Sequence, residues 1–490
     1  MPEQLRWDIS LLGLAGLLAL IVWIADLPWL IETDEPTIRG SRPPAARQGD
    51  VLLLLPDAPA GSADTFGELD CTFGWYNTLW QYFGAFATAL ERNLSPSLLE
   101  DRRLVVVPDR VADGMPENGV QALAEFAESG GQVLLVQPGD RWSEVAGVSP
   151  SSKTRPAESI TSARGLGLSG RLRRALPEVP LAGQLTPVPA TPPWPEGHSL
   201  LTVDKRPGLT VREVGAGAVY TAQFEIGCTV TALQQGRPDS GMSFGDQTDD
   251  RLLPTAERIA APSMATARAP YADLLERAVL HRATELRPTP RIWSQPAHRA
   301  GSLLVVHPAP ASPRAAFAFV DHARSHDSPT TVFAAADRWH ERRGALADRA
   351  GTDVGLLWVR GSSRPKVTQR YRLGGLTLVE REQSLDRQLA QLADGAAAFD
   401  PRRVARVEGA EHHARWSRTV RQLGAAGVRV DVSYGPHGDE QFGYLFGTGY
   451  PFYPVDRRGL PVPVAELPYV LHGPSLSIER LETFLRQSRR

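Results

Sequence analysis

Lysine is almost missing from this chain: only three lysines stand among its 53 basic residues, so arginine carries nearly all the positive charge. That bias fits a GC-rich genome better than any ligand. An excess of charge of either sign is missing too, because 53 basic residues face 55 acidic ones. With no broad positive field to gather phosphates, the balance argues against a general nucleic-acid binder. Cysteine is scarce. Cys71 and Cys228 have neither the number nor the spacing of a zinc module, and whether they pair depends on an oxidising compartment that spacing does not reveal. What the chain does have is apolar material, 42% of 490 residues, enough for about two or three packed cores.

One apolar run stands apart. Residues 9–25, ISLLGLAGLLALIVWIA, carry no charge and reach the lower limit of about 17 residues for a membrane-spanning helix. Trp23 and Trp29 stand where an interfacial belt would lie. A cleaved signal peptide fits less well, since only Arg6 precedes the run and no small-x-small site follows it. The expectation is a single-pass anchor over residues 1–31 and a polar tether over 32–49. Arg39, Arg42 and Arg47 beyond the run lean weakly towards a cytoplasmic body.

Strand and helix signals then alternate. DVLLLLPD at 50–57 reads as a buried strand, and Tyr76, Leu79, Trp80, Phe83, Phe86 and Leu90 recur at helical spacing. A strand at 103–108 follows, then a helix bearing Val120, Leu123 and Phe126 that stops at Gly130 and Gly131, then a strand at 132–137. This order predicts a parallel sheet with right-handed crossovers in a flavodoxin-like layout. Residues 149–197 read as irregular connection with one short helix near Leu172, and TVREVGAGAVYTAQF at 210–224 as a hairpin completing the sheet. The first domain is therefore placed at 50–235, with a connection at 236–298 that contains a helix at 271–282. From 299 to 490 the alternation returns, with strands expected at 302–306, 330–335, 353–359, 402–407 and 428–433. Helices are expected between them, at 312–326, 339–349, 384–393 and 410–423. A partial or distorted (β/α) barrel follows, with function at the carboxyl ends of its strands.

Two short strings carry no chemistry. GLGLSG at 165–170 fits a dinucleotide-binding pattern, but no strand precedes it and no acidic residue follows at the right distance. GMSFG at 241–245 fits a nucleophile elbow, but polar loop flanks it instead of a strand and a helix.

Two resemblances organise the rest. The stretch LVVVPDRVADGMPENGVQALAEFAESGGQVLLV at 104–136 resembles the class I glutamine-amidotransferase-like domains, particularly the non-catalytic kind found beside glycosidases. An amidotransferase needs a cysteine on a strand-to-helix elbow with a histidine partner, and neither Cys71 in ELDCTFGW nor Cys228 in EIGCTV has that context. In the second half, LLVVHPAP, SPTTVFAAADRW, GTDVGLLW, AGVRVDVSYGP and FGYLFGTGYPFYPVD, supported by PRIW and ELPYVLH, together resemble the polysaccharide deacetylases of the NodB-homology type. The resemblance implies an extracytoplasmic body and a divalent metal held by two histidines in the segment matching GTDVGLLW. Here those positions are Thr352 and Leu357, and the motif that should carry aspartates has His307, Pro308 and Ala309. A threonine hydroxyl is a poor zinc ligand and a leucine is none.

The expected rim of this degenerate site is His307, Thr352, Asp353, Leu357, Glu408, Tyr434 and His472. Glu408, Trp416, Tyr434, Tyr450 and His472 are candidates for a saccharide groove, because aromatic faces stack on sugar rings and carboxylates bind hydroxyls. The alternative for them is packing inside the barrel. His322 and His326, four apart on one helix, are the weak candidates for a metal, with solvated side chains at a helix C-terminus as the plainer reading. No cofactor is expected. The sequence points to a membrane-anchored, catalytically inactive deacetylase-like protein that binds or scaffolds an envelope polysaccharide. Two alternatives stand beside it: an active zinc-dependent deacetylase with relocated ligands, and a protein-interaction module with no carbohydrate role.

Overall fold

The computed structural model describes residues 50–57, 72–148, 154–162, 178–181, 184–185, 197–235, 270–284 and 288–291 of the first part of the chain. In the second part it describes 305–308, 313–326, 330–335, 345, 354–359, 371–373, 376–378, 404–408, 423–435, 443–444, 446–455, 461–470, 477, 479 and 482. The expected anchor and tether, and both set-aside strings, lie outside these residues. Among the described residues no helix is long and apolar enough to cross a membrane.

The fold is mixed α/β with two sheets rich in parallel strands. The first contains β1 (Val51–Leu55), β2 (Ala87–Leu90), β3 (Leu104–Val107), β4 (Gln132–Val136), β5 (Ser159–Ser162), β6 (Val179–Pro180), β7 (Gly197–Val203), β8 (Arg206–Val214) and β9 (Gly217–Ala222), in the order β2-β1-β3-β4-β9-β8-β7-β5-β6. β2, β1, β3, β4 and β9 run parallel, and the remainder of the sheet is antiparallel. The apolar runs behave as period-2 strands buried on both sides. Val51 and Leu53 enter one core while Leu52 and Leu54 enter the other, and Leu104/Val106 against Val105/Val107 repeat the division. Helices α2 (Asp109–Gly114) and α3 (Glu117–Glu128) cover one face. Helices α1 (Thr72–Phe83), α4 (Ile226–Gln235) and α5 (Tyr271–Ala283) cover the other.

Two sequence expectations need correction here. The helical spacing reaching Leu90 breaks at Gly84, whose φ of +74° ends α1, and residues 87–90 form the edge strand β2 instead. The stretch expected as irregular connection contributes β5, β6 and the start of β7 to the first sheet, and Arg155–Pro156 pairs with Gln184–Leu185 in a small ladder. Period-2 alternation is hard to see in such short, polar strands. The hairpin, by contrast, is β8–β9, turning at Gly215 with φ +58°.

The second sheet contains β10 (Val305–Pro308), β11 (Thr330–Ala335), β12 (Val354–Val359), β13 (Val404–Glu408), β14 (Val430–Asp431) and β15 (Ala465–Glu466). All six are parallel and follow one another in chain order. The helix expected at 312–326 is α6 (Pro313–Ser325). Of those expected at 339–349, 384–393 and 410–423, only residues 345 and 423 are described.

Helix α5, expected in a connection between domains, is buried at the joint of the two halves. One apolar cluster runs from Val51, Trp75 and Leu79 through Leu275 and Val279 to Leu356, Tyr434, Phe446 and Phe452. An extended segment, 451–455, fastens this joint. Its odd residues face the first half: Gln81 donates to Pro451 O at 2.7 Å, Asn77 donates to and accepts from Tyr453 at 2.8 Å each, and Gln235 does the same with Val455 at 2.6 and 2.7 Å. Its even residues face the second: Phe452 exchanges two hydrogen bonds with Glu466, and Pro454 O accepts from Val462 N. Because the prolines at 451 and 454 have no N–H, every backbone donor and acceptor from 451 to 455 is satisfied.

Helices α1 and α4 meet where Gly74 crosses Gly227, and a Cβ on Gly74 would sit 2.1 Å from the Gly227 carbonyl oxygen. Gly74→Ala is expected to destabilise the protein by about 2–3 kcal/mol, because the backbones must move apart in a packed core. A urea unfolding curve reads it. Asn77→Leu is expected to cost a similar amount, about 2–4 kcal/mol, since it strands both backbone groups of Tyr453 in a part-buried site.

Candidate functional site

The carboxyl ends of the second sheet are where the chemistry is expected. Within β12, two residues before its carboxyl end, Leu357 is buried and packs with Phe333 and Val432, with Leu467 and Tyr469 against them. The position assigned to a histidine ligand is thus part of an apolar cluster, and no donor atom stands there. His307 lies on β10 in register with Val332, and Glu408 ends β13 in register with Val359. Thr352, Asp353, Trp416 and His472 lie outside the described residues.

Tyr434 is not brought to Leu357. It is 1% exposed and packs against Phe446 and Phe452, with ring centroids 4.8 and 6.3 Å away, in the large core that joins the two halves. Tyr450 is tied to α5, its hydroxyl accepting from Arg277 at 2.5 Å. For Tyr434 packing takes the place of the expected saccharide groove, whereas Tyr450 stays partly exposed beside α5. His322 and His326 do come together on α6, their rings 4.6 Å apart and inclined at 67°. Among the described residues no group of three or more His, Cys, Asp or Glu side chains is placed to hold a metal ion. Around Leu357, the described side chains do not fit the divalent metal that the family resemblance implies.

What the structure assembles instead are buried pairs of acids. Asp431 and Glu466 are register partners on β14 and β15, both 0% exposed. Ser433 Oγ donates to Asp431 Oδ1 at 2.5 Å, and Tyr434 N donates to Glu466 Oε1 at 3.0 Å. Burial, then the neighbouring Asp431 charge, push the Glu466 carboxyl well above the usual range, so Glu466 keeps its proton and shares it with Asp431. The signal for Asp431 was present in RVDVSY, an acid at a strand position between apolar neighbours. Nothing local marked Glu466 as its partner.

A second pair lies at the carboxyl edge of the first sheet. Glu225 Oε1 accepts from Gly227 N at 3.1 Å at the start of α4. Burial, then Asp109 at the start of α2, push Glu225 well up. Beside it β4 ends in Gln137 at φ +41°, a strained conformation for a residue with a Cβ. The chain turns here between β4 and the short helical turn at Asp140–Trp142, and the residue at the turn is an amide. Cys228 is disulfide-bonded, and the only other cysteine in the sequence is Cys71. No thiolate is therefore available at this edge.

No protein-family model matches the sequence, and no curated protein matches it. Solved structures do overlap it in part. A β-galactosidase from Rahnella sp. R3 is 15% identical over 36% of this chain and 28% of its own, with a TM-score of 0.28. An exo-β-1,4-mannosidase from Opitutaceae bacterium strain TAV5 is 15% identical over 36% and 31%, with a TM-score of 0.27. A cytoplasmic protein from Salmonella typhimurium LT2 is 11% identical over 36% of this chain and 88% of its own, at 0.26. The chain spans under a third of the length of the two glycosidases. Likeness at these scores says nothing of what this chain does.

Glu225, Asp431 and Glu466 are buried, and Asp109 at the start of α2 is half-buried. The folded-state values of Glu225 and Glu466 are raised, so the stabilising effect of these two groups is complete below the unfolded range near 4 and is lost as pH rises through the folded values. The protein is expected to resist urea better at pH 5 than at pH 8. Glu466→Gln, which keeps the shape and removes the titration, is expected to flatten that dependence and raise the midpoint at pH 8.

Proposed function

We propose that the chain is a membrane-anchored protein of polysaccharide-deacetylase type that lacks the catalysis and binds or scaffolds an envelope polysaccharide. The observation that carries this reading is Leu357, packed with Phe333 and Val432 where a metal-dependent deacetylase would present a ligand. Six parallel strands in chain order support the finer fold assignment. Right-handed crossovers between sequential neighbours put every helix on one face, which curls such a sheet towards a (β/α) barrel. For the first half, the parallel order β2-β1-β3-β4-β9 is that of a flavodoxin-like sheet. It supports the amidotransferase-like assignment, with Gln137 at the turn after β4 accounting for a non-catalytic domain.

The disulfide at Cys228 favours a body on the oxidising side of the membrane, since disulfides persist in extracytoplasmic compartments and are reduced in the cytosol. The arginine count after the apolar run leans the other way, but it is small. Neither cysteine is expected to react with a membrane-impermeant maleimide on intact cells until a reductant is added. Labelling that needs the membrane to be permeabilised but needs no reductant would place the body on the cytosolic side.

Zinc and cobalt titrated by calorimetry into a fragment beginning near Ser41 are expected to give no one-to-one heat, while acetylated and deacetylated glycans are screened without metal. Metal-free glycan binding supports the proposal. Tight one-to-one zinc binding that His307→Ala abolishes would overturn it in favour of the active deacetylase, and binding of neither class would favour the protein-interaction module.

A further inference from the structure

The joint between the two halves contains a third acid pair. Asp273 and Glu276 stand three apart on α5, so they share one face of the helix, and both are almost fully buried, at 4% and 3% exposure. Asp273 Oδ2 accepts from Gly449 N at 2.9 Å, and its other carboxyl oxygen is buried with no hydrogen-bond partner. Ala272 N donates to Gly447 O at 2.7 Å, so the same strap of chain caps the start of α5. Glu276 accepts from Thr78 Oγ1 of α1 at 3.3 Å. The pair therefore touches the strap on one side and the first half on the other.

Few charges surround it. The elements packed on α5 are α1, α4, β4 and β6, and none of them carries a charged residue. The phenols of Tyr76 and Tyr82 on α1 and of Tyr450 and Tyr453 on the strap are the ionisable groups there, since Cys228 of α4 is in a disulfide and does not titrate. Arg277 on α5 itself is the nearest cation, and its guanidinium is engaged by Tyr450. Two carboxylates in such surroundings repel each other with little compensation, whereas protonating either one removes the repulsion.

We propose that residues 447–455 form a proton-locked strap: it is closed while at least one of Asp273 and Glu276 is protonated, and it loosens from α1, α4 and α5 when both are ionised. Burial raises Asp273 to about 6, and burial followed by the Asp273 charge raises Glu276 well above its ordinary value. Both shifts are upward, so the closed state is favoured at acid pH and is weakened as pH rises through 6. A body facing the medium would meet that range directly.

Hydrogen exchange on the full chain, corrected for the intrinsic pH dependence of exchange, tests the lock. Protection of the Gly449, Phe452, Tyr453 and Val455 amides is expected to fall at least tenfold between pH 5 and pH 8, while β3 and β4 amides keep theirs. Glu276→Gln and Asp273→Asn are each expected to shrink that fall to under threefold. Should Asp273→Asn fail to fold, Glu276→Gln, which leaves the Gly449 contact in place, reads the same quantity. Equal protection at both pH values, or an undiminished fall in Glu276→Gln, would overturn the proposal. So would a fall that disappears only in Glu466→Gln, which would move the titrating group to the second sheet.

Discussion

Everything in the joint depends on satisfying the backbone of five residues, 451–455. An extended segment buried between two bodies has polar groups on both edges, and each one left unpaired costs about as much as a lost hydrogen bond. A sheet solves this with a neighbouring strand on each side. Here only one side has such a neighbour, at Glu466 and Val462. The other side meets helices, whose own backbone is already spent, so three side-chain amides act in place of a strand. Asn77 and Gln235 each present a donor and an acceptor at once, which matches the N–H and C=O of one extended residue. No other uncharged side chain type supplies both functions in that geometry.

That solution constrains the helices as well. α1 and α4 must lie close enough for their amides to reach the same strap, and the Gly74–Gly227 crossing permits it. The bond at Cys228 and the Glu225 contact at the start of α4 add further fixed points at this end of the helix pair. Burying the joint so completely leaves the acids within it poorly solvated. Asp273, Glu276 and Glu466 all hold their protons beyond the ordinary range for the same reason, desolvation without a cation close enough to offset it.

Much of the architecture was legible in the chain. Apolar runs such as VLLLL, LVVV and QVLLV carry no alternation because both faces are covered, and each is a central parallel strand. Of the candidate site, the loss of ligand chemistry at Leu357 could be read directly, since no packing gives a leucine a donor atom. Tyr434 and Tyr450 could not be placed the same way, because an aromatic ring suits a groove and a core equally. Strands β2, β5 and β6, at the two margins of the first sheet, escaped for a related reason: four residues or fewer, partly polar, give no period to detect.

The sequence by itself determined the central strands, most of the helices packed on them and the absence of a thiol nucleophile in an elbow context, because these follow from local periodicity and from which atoms a side chain possesses. Only the tertiary structure decided that Asp431 meets Glu466, that Glu225 meets Asp109, and that α5 and residues 451–455 weld the halves together. Those contacts join residues up to 376 positions apart. Their energies come from burial and from complementary geometry, neither of which exists until the chain has closed around them.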